Sequence, residues 1–477
     1  MRGTSAAYAG AIEEEMEVAG TSAVVVGLAR SGVAAARLLA ARGARVTACD
    51  RKRAQELPTE VAALESAGVR LELGGHAPEA LAAAALVVVS PGVPWELPEL
   101  QAARARGALV LAELELGFLL AKGSVAAVTG TKGKSTTTAA LGAMLRAAGG
   151  PAFADVRVGG NIGEAFCGLV EGSSEDTTFV IEASSFQLEG TSAFHPRLAV
   201  FLNFSPDHLD RHPSVEAYAL AKARVFANQT SEDWAVVNAD DARVMELARR
   251  SRARLLRFRG IGARPAGDAA WFDAERACVA IDGREETLFR LADVRLPGRH
   301  LASDLLAAGA AARLLGAPAE AVAAAVAGFA GVEHVLERVA EIGGVTFYDD
   351  SKATNVAAAR MSLQALPPRV VAVMGGRYKG GDFAELGPVA RERLRAIVAI
   401  GESRTRIAAA LAGVVPVYAC ASLGQAVAQA FAAARPGDSV VLAPACSSFD
   451  MFADYAERGR AFKDEVRKLA AERGRDG

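Results

Sequence analysis

Val125-Ala-Ala-Val-Thr-Gly-Thr-Lys-Gly-Lys-Ser-Thr136 is an apolar, strand-like stretch that breaks at Gly130 and turns through glycines and lysines. It then enters the helix-like Thr137-Thr-Ala-Ala-Leu-Gly-Ala-Met-Leu145. A helix N-terminus leaves backbone N–H groups unpaired and carries the positive end of its dipole, so this strand–loop–helix attracts phosphate. Gly130 and Gly133 let the backbone come close to a phosphate, Lys134 supplies a cation, and the Ser135 hydroxyl suits Mg²⁺. The loop is a shortened one, with two residues between Gly130 and Gly133, where the common pattern has about four. A lysine-rich surface turn is the bland reading, but it leaves the ordered strand, Gly-Lys-Ser and helix unexplained. A bound nucleoside triphosphate is expected.

The rest of the composition narrows the class. A chain of 477 residues with 51% hydrophobic content supports several α/β cores. A net charge of −2 gives no basic footprint for nucleic acid. Five cysteines, Cys49, Cys167, Cys278, Cys420 and Cys446, are scattered without a close pair, which suits reduced thiols better than a disulfide framework. No apolar run reaches the roughly 20 residues needed to span a bilayer. The first twenty residues carry Glu13-Glu-Glu15 and lack an apolar signal core, so 1–20 reads as an extension of a cytoplasmic protein.

Strand and helix patterns alternate along the chain, which predicts parallel sheets covered by helices. A first domain, 21–115, opens with Ala23-Val-Val-Val-Gly27 and includes Ala44-Arg-Val-Thr-Ala-Cys-Asp50 and Leu86-Val-Val-Val-Ser90. Its Gly27-Leu-Ala-Arg-Ser-Gly32 run is an imperfect dinucleotide fingerprint, with Ala29 in the middle glycine's place, and Asp50 is placed to hold a ribose. A nucleotide site other than a redox one fits better, and a structural glycine turn is the alternative. A second domain, 116–331, carries the phosphate loop and the strands Phe179–Ala183, Leu198–Leu202 and Trp234–Asn238, with a small antiparallel insertion expected between 250 and 297. A third, 332–477, alternates again through Val345–Tyr348, Val370–Met374, Ala396–Ile400, Val415–Tyr418 and Ser439–Ala443. The fold expected is α/β in three domains: Rossmann-like, P-loop-type ATPase with a parallel sheet, and Rossmann-like again.

Several loops at strand ends concentrate chemistry. Glu182, closing an apolar strand next to the phosphate loop, suits Mg²⁺; a capping or solvated glutamate is the alternative. Asp207, His208, Asp210 and Arg211 share one loop, where His208 is either a metal ligand through its neutral imidazole or a solvated side chain. Tyr218, Ala221, Lys222 and Val225 fall at helical spacing, so Lys222 shares the predicted buried stripe. A desolvated lysine has a neutral amine that can add carbon dioxide to become an anionic carbamate, whereas a snorkelling lysine at the stripe's edge would not. Tyr348-Asp-Asp-Ser-Lys-Ala-Thr-Asn355, Gly375-Gly-Arg-Tyr-Lys-Gly-Gly381 and Pro444-Ala-Cys-Ser-Ser-Phe-Asp450 offer lysines and hydroxyls to an anionic small molecule.

Together these segments resemble the Mur ligases, and among them the branch that adds D-glutamate. Thr129–Thr136 is shared with the wider superfamily. More specific are Gly159-Gly-Asn-Ile-Gly163, Glu182-Ala-Ser-Ser-Phe-Gln-Leu188, Asp207-His-Leu-Asp-Arg211, Asp350-Ser-Lys-Ala-Thr-Asn355 and Pro444-Ala-Cys-Ser-Ser448. The resemblance implies ATP-dependent addition of D-glutamate to UDP-N-acetylmuramoyl-L-alanine through an acyl phosphate, in peptidoglycan precursor synthesis. It implies that Gly130, Thr131, Lys132, Gly133, Lys134, Ser135 and Thr136, with Asp350 and Lys352, hold ATP. Two Mg²⁺ ions are implied, one on Ser135 and Glu182, the other on His208 and a carbamylated Lys222; Lys134, Glu182, His208 and Lys222 are the catalytic set. Leu28, Asp50, Arg51, Ser90, Pro91, Gly92 and Asn161 match the uridine-substrate positions, and Thr354, Lys379, Ser448 and Phe449 match the D-glutamate pocket. A monomer without nucleic-acid or membrane partners is implied.

Three positions depart from the family pattern. Leu301 and Asp304 stand where asparagines contact the adenine side, and Val335 stands where an arginine reaches the ATP phosphates; none of the three is assigned a role. A sibling ligase with another amino acid would need a different Asp350–Asn355 run. A nucleotide-sugar-binding protein with impaired ATP turnover is the reading from another class; the departures favour it, and the retained Lys134, Glu182, His208 and Lys222 oppose it.

Overall fold

A computed structural model describes residues 17–209, 211–378 and 380–473. Most of the expected N-terminal extension, with Asp210 and Lys379, lies outside the described residues.

The first sheet is built from β1 (Ser22–Val26), β2 (Arg45–Asp50), β3 (Arg70–Leu73), β4 (Leu86–Val89) and β5 (Leu109–Ala112). Its order is β3-β2-β1-β4-β5 and every pairing is parallel. The continuous apolar runs of β1 and β4 fit strands buried on both faces. Strand order reverses between β1 and β4, the crevice where open α/β sheets bind ligands.

The second sheet has nine strands: β6 (Ser124–Thr129), β7 (Asp155–Gly160), β8 (Thr177–Glu182), β9 (Leu198–Phe201), β10 (Trp234–Asn238), β11 (Arg254–Arg259), β12 (Ala269–Asp273), β13 (Arg276–Ile281) and β14 (Arg284–Arg290). The order is β14-β13-β12-β11-β10-β9-β6-β8-β7, parallel from β7 to β12 and antiparallel from β12 to β14. The antiparallel stretch expected after residue 250 is therefore an extension of this sheet. β6 sits between β8 and β9, so the phosphate loop and the loops after β8 and β9 leave the same sheet edge side by side.

The third sheet comprises β15 (Glu337–Ile342), β16 (Val345–Asp349), β17 (Val370–Gly375), β18 (Leu394–Ile400), β19 (Val417–Ala419) and β20 (Ser439–Leu442), in the order β15-β16-β20-β17-β18-β19. Only β15 runs antiparallel to its neighbour.

The chain divides into two compact units. The first runs to Val294 and takes in Ser303–Gly328; it holds the first two sheets. The second comprises Arg295–Ala302 and the chain from Phe329, and holds the third sheet. Within the first unit one apolar core joins Val25, Leu39 and Leu111 to Leu116, Phe166 and Phe179. Burial of these side chains, at roughly 25 cal/mol per Å² of apolar surface, holds the strands whose ends carry the polar loops. No helix among the described residues is long and apolar enough to cross a membrane.

Candidate active site

The phosphate loop leaves β6 with backbone that only glycine tolerates well. Gly130 has φ +151 and packs on Leu202, and Gly133 has φ +81 directly before the helix Lys134–Ala148. No side chain caps that helix, so its first N–H groups face the loop. The segment after β9 staples the loop in place. Lys132 N–H donates to Asn203 Oδ1 at 2.8 Å, and Asn203 Nδ2 donates back to Lys132 O at 3.0 Å. Thr131 Oγ1 donates to Ser205 O at 3.1 Å, and Lys134 Nζ to Thr131 O at 3.1 Å.

Behind the loop lie one carboxylate and one lysine, both buried. Ser135 Oγ donates to Glu182 Oε2 at 2.7 Å, while Asn161 Nδ2 donates to Glu182 Oε1 at 2.8 Å. Glu182 is 1% exposed. A hydroxyl and a carboxylate oxygen side by side are hard oxygen donors, which fit Mg²⁺. Lys222 is 2% exposed, donates to Gly130 O at 2.7 Å and lies 4.8 Å from the Tyr218 ring centre. Burial, reinforced by Lys134, holds the Lys222 amine well below the ordinary lysine value, with Asp207 and Glu182 only partly opposing. Tyr218, Ala221 and Val225 are buried with it, as the helical spacing predicts. An ammonium does not ligate a metal, so Lys222 fits a metal site only as a neutral amine or a carbamate.

His208 is less enclosed. Its backbone is left-handed, with φ 55, and its side chain is 46% exposed. The imidazole packs edge-on to Phe186 and to Tyr218, with Nε2 3.9 Å from Asp207 Oδ2. Tyr218 thus lies beside both His208 and Lys222. Asp207 also lies 3.8 Å from Lys132 Nζ, a link that sequence separation hides. His212 is buried, pairs with Ser185 Oγ at 2.9 Å and stacks on Phe186, a supporting role the sequence did not signal.

Of the residues expected at the uridine substrate, Leu28, Asp50 and Ser90 come together at the β1/β4 crevice. Asp50, closing β2, accepts from Leu28 N–H at 2.7 Å and Lys52 N–H at 2.9 Å. Ser90 Oγ donates to Gly27 O at 2.7 Å, while Arg51 and Gly92 are exposed and Pro91 half-buried. Arg30 donates to Asn161 O at 2.8 Å. A run of contacts, Arg30–Asn161–Glu182–Ser135, therefore joins this crevice to the phosphate loop inside the first unit.

In the second unit, Asp350 is buried and accepts from Leu336 N–H and Ser362 Oγ; burial first of all pushes its carboxyl up to about 6. Lys352 N–H donates to His334 O at 3.2 Å, and Thr354 N–H to Lys352 O at 2.8 Å. Ala445 N–H donates to Ala353 O, bringing the Pro444–Ser448 loop against the Asp350–Asn355 loop. Arg458, 1% exposed, clamps the two by donating to Ser351 Oγ, Ser351 O and Cys446 O. Ser448 is buried and Phe449 is 55% exposed. Leu301 lies in the apolar core of this unit, which explains a leucine there. Asp304, in the first unit, sits instead against Gly133.

Comparison with known proteins agrees with this layout. Residues 21–112 match the Mur ligase MurD-like N-terminal domain, 128–312 the Mur ligase middle domain, and 336–446 the Mur ligase glutamate ligase domain. A UDP-N-acetylmuramoylalanine–D-glutamate ligase of Acidobacterium capsulatum is 45% identical over 465 residues, covering 94% of this chain and 97% of that one. The protein of that name from Anaeromyxobacter dehalogenans is 45% identical over 476 residues, covering 96% and 99%. Among solved structures, a UDP-N-acetylmuramate–alanine ligase from Thermotoga maritima shares the fold with TM-score 0.59 at 19% identity, covering 94% of this chain and 100% of its own. A pseudomurein peptide ligase type C from Methanothermus fervidus does so with TM-score 0.58 at 18% identity, covering 94% and 99%. With its three segments matched in order and relatives of this identity spanning nearly whole chains, the chain belongs to the Mur ligase family.

Proposed function

We propose that the chain is an ATP-dependent ligase that joins D-glutamate to UDP-N-acetylmuramoyl-L-alanine in peptidoglycan precursor synthesis. The observation that carries this reading is the juxtaposition of Ser135, Glu182 and Asn161 with a buried Lys222 behind an uncapped, lysine-bearing helix N-terminus. Relatives at 45% identity that are named for this activity support the choice of reaction.

In this reading the substrate's terminal carboxylate attacks the γ-phosphorus of ATP, the bond to ADP breaks, and an acyl phosphate forms. The amine of D-glutamate then adds to the acyl carbon, a proton leaves the nitrogen, and inorganic phosphate departs. The amides of Gly130 to Thr136 and the Lys134 ammonium hold the triphosphate and offset charge on the transferred group. Ser135 and Glu182 would hold one Mg²⁺, and His208 with Lys222 as a carbamate would hold a second; Mg²⁺ there would supply charge neutralisation. Asn161 keeps the Glu182 carboxylate oriented and, through Arg30, ties it to the uridine crevice formed by Leu28, Asp50, Arg51 and Ser90 to Gly92. Asp350 and Lys352 serve the ATP phosphates, and Thr354, Lys379, Ser448 and Phe449 the D-glutamate. The protein is expected to act as a cytoplasmic monomer.

The test is ATP- and Mg²⁺-dependent phosphate release with UDP-N-acetylmuramoyl-L-alanine and a panel of amino acids. Turnover selective for D-glutamate is expected. Tight nucleotide-sugar binding without turnover on D-glutamate would overturn the ligase reading, and turnover with another amino acid would make the protein a sibling ligase.

A further inference from the structure

Glu333, His334 and Glu337 lie in the second unit, just before and at the start of β15, and form a cluster that the ligase reading does not use. His334 Nδ1 is 2.6 Å from Asp349 Oδ2. A carboxylate oxygen accepts, so Nδ1 carries a proton, and in the neutral ring Nε2 is the nitrogen left to ligate. The ring is pinned: a Cβ on Gly459 would come within 2.1 Å of Nδ1, and Tyr455 packs edge-on at 6.2 Å. His334 is 3% exposed, and its Nε2 is buried with no hydrogen-bond partner. That orphaned nitrogen lies 3.6 Å from Glu333 Oε1. One donor atom each from Glu333, His334 and Glu337 falls within 4.8 Å of the others.

The position between the carboxylates already attracts a cation. Lys463 Nζ, one helical turn after Gly459, is 2.6 Å from Glu333 Oε1 and 3.1 Å from both Glu337 oxygens. Glu337 Oε2 also accepts from the His334 backbone N–H at 2.9 Å, which fixes its carboxylate against this segment. An imidazole oriented by one carboxylate, with two further carboxylates offering donor atoms within 4.8 Å, is the donor arrangement of borderline transition-metal sites.

We propose that Glu333, His334 and Glu337 form a binding site for a divalent transition-metal ion of the Zn²⁺ class, which Lys463 fills with its ammonium when no metal is bound. The metal takes the His334 Nε2 lone pair, which the ammonium leaves unused, and Lys463 swings outward past the exposed Glu333. His334 O and Leu336 N–H bond to Lys352 and Asp350, so an occupied site stiffens the segment that carries those two residues.

The test titrates chelator-stripped full-length protein with Zn²⁺ against a chromophoric competitor, with excess Mg²⁺ present to fill oxygen-donor sites. Co²⁺ is followed separately by its visible absorption. Wild type is expected to take up one more Zn²⁺ than Glu333→Gln, or to bind it at least about tenfold more tightly. Lys463→Met, with no ammonium to displace, is expected to bind more tightly than wild type, and His334→Gln to lose the Co²⁺ bands while keeping its thermal unfolding transition. Identical Zn²⁺ uptake and affinity in wild type, Glu333→Gln and Lys463→Met would overturn the proposal and leave Lys463 as the cluster's permanent cation.

Discussion

Two strand–glycine–helix turns in the first unit share a backbone plan and differ in charge. At Gly27, with φ +90, β1 turns into the helix Arg30–Ala41; at Gly130 and Gly133, β6 turns into Lys134–Ala148. The first turn has its anion built in, because Asp50 accepts from Leu28 N–H and Lys52 N–H. A hydroxyl-bearing group such as a ribose finds a carboxylate to donate to there. The second turn carries Lys132 and Lys134, and its carboxylate, Glu182, is engaged by Ser135 and Asn161. A polyanion with Mg²⁺ fits there. In the proposed function, one local geometry thus serves a nucleoside or a triphosphate according to which charges the neighbouring strands supply.

The sharpest way to break this contrast is at Lys222. Lys222→Ala is expected to lower kcat on the order of 1,000-fold, with partial recovery when short carboxylates are added in place of the carbamate. Wild-type phosphate release from the variant would remove Lys222 from the site. Glu182→Gln keeps the shape and still accepts from Asn161, with the Ser135 hydroxyl turned to accept, but loses the charge. Its kcat is expected to fall by roughly 100-fold, with a higher Mg²⁺ requirement; an unchanged Mg²⁺ dependence would show that this carboxylate holds no metal. At the other turn, Asp50→Asn still accepts from Leu28 N–H. A rise of roughly tenfold in KM for the uridine substrate is expected, with kcat and the KM for ATP unchanged. An equal rise in the KM for ATP would mean that the two turns do not divide the ligands.

The features that make up the second turn were legible because they are local. Gly130 and Gly133 mark positive φ, the lysines mark phosphate, and helical spacing put Lys222 on a buried stripe, where it lies. What was not legible depends on long-range packing. Nothing near Lys132 in sequence signals that Asn203 clasps it from 71 residues away. β7 escaped notice because it is an edge strand carrying Arg157, which donates to Leu169 O and Glu171 O, so its apolar pattern is broken. The orphaned Nε2 of His334 is invisible in sequence, since it depends on Asp349 taking the other nitrogen. Leu301 looked like a lost nucleotide contact, yet its neighbours make it a core residue of the second unit.

Asp304 sharpens the comparison most finely, because it places an acid at the second turn as Asp50 does at the first. Asp50 accepts two backbone N–H groups. Asp304 is 7% exposed and lies so close to Gly133 that a Cβ there would be 2.3 Å from Oδ1. Burial pushes its carboxyl up to about 8, with Lys134 the charged group that opposes the rise. The unfolded chain loses this proton near the ordinary value of 3.8, whereas the folded chain keeps it until about 8. Between those limits the folded state binds more protons, so this group makes stability fall as pH rises, by at most about 1.4 kcal/mol per pH unit. Outside that window it contributes no slope. Asp304→Asn, which keeps the shape and cannot ionise, is expected to gain on wild type steadily from pH 5 to pH 7 in denaturant or thermal unfolding, and to hold that gain constant above pH 8. Parallel stability curves for the two proteins across that range would mean that Asp304 is ionised beside Lys134. The second turn would then carry a built-in anion, and the charge contrast with the first would fail.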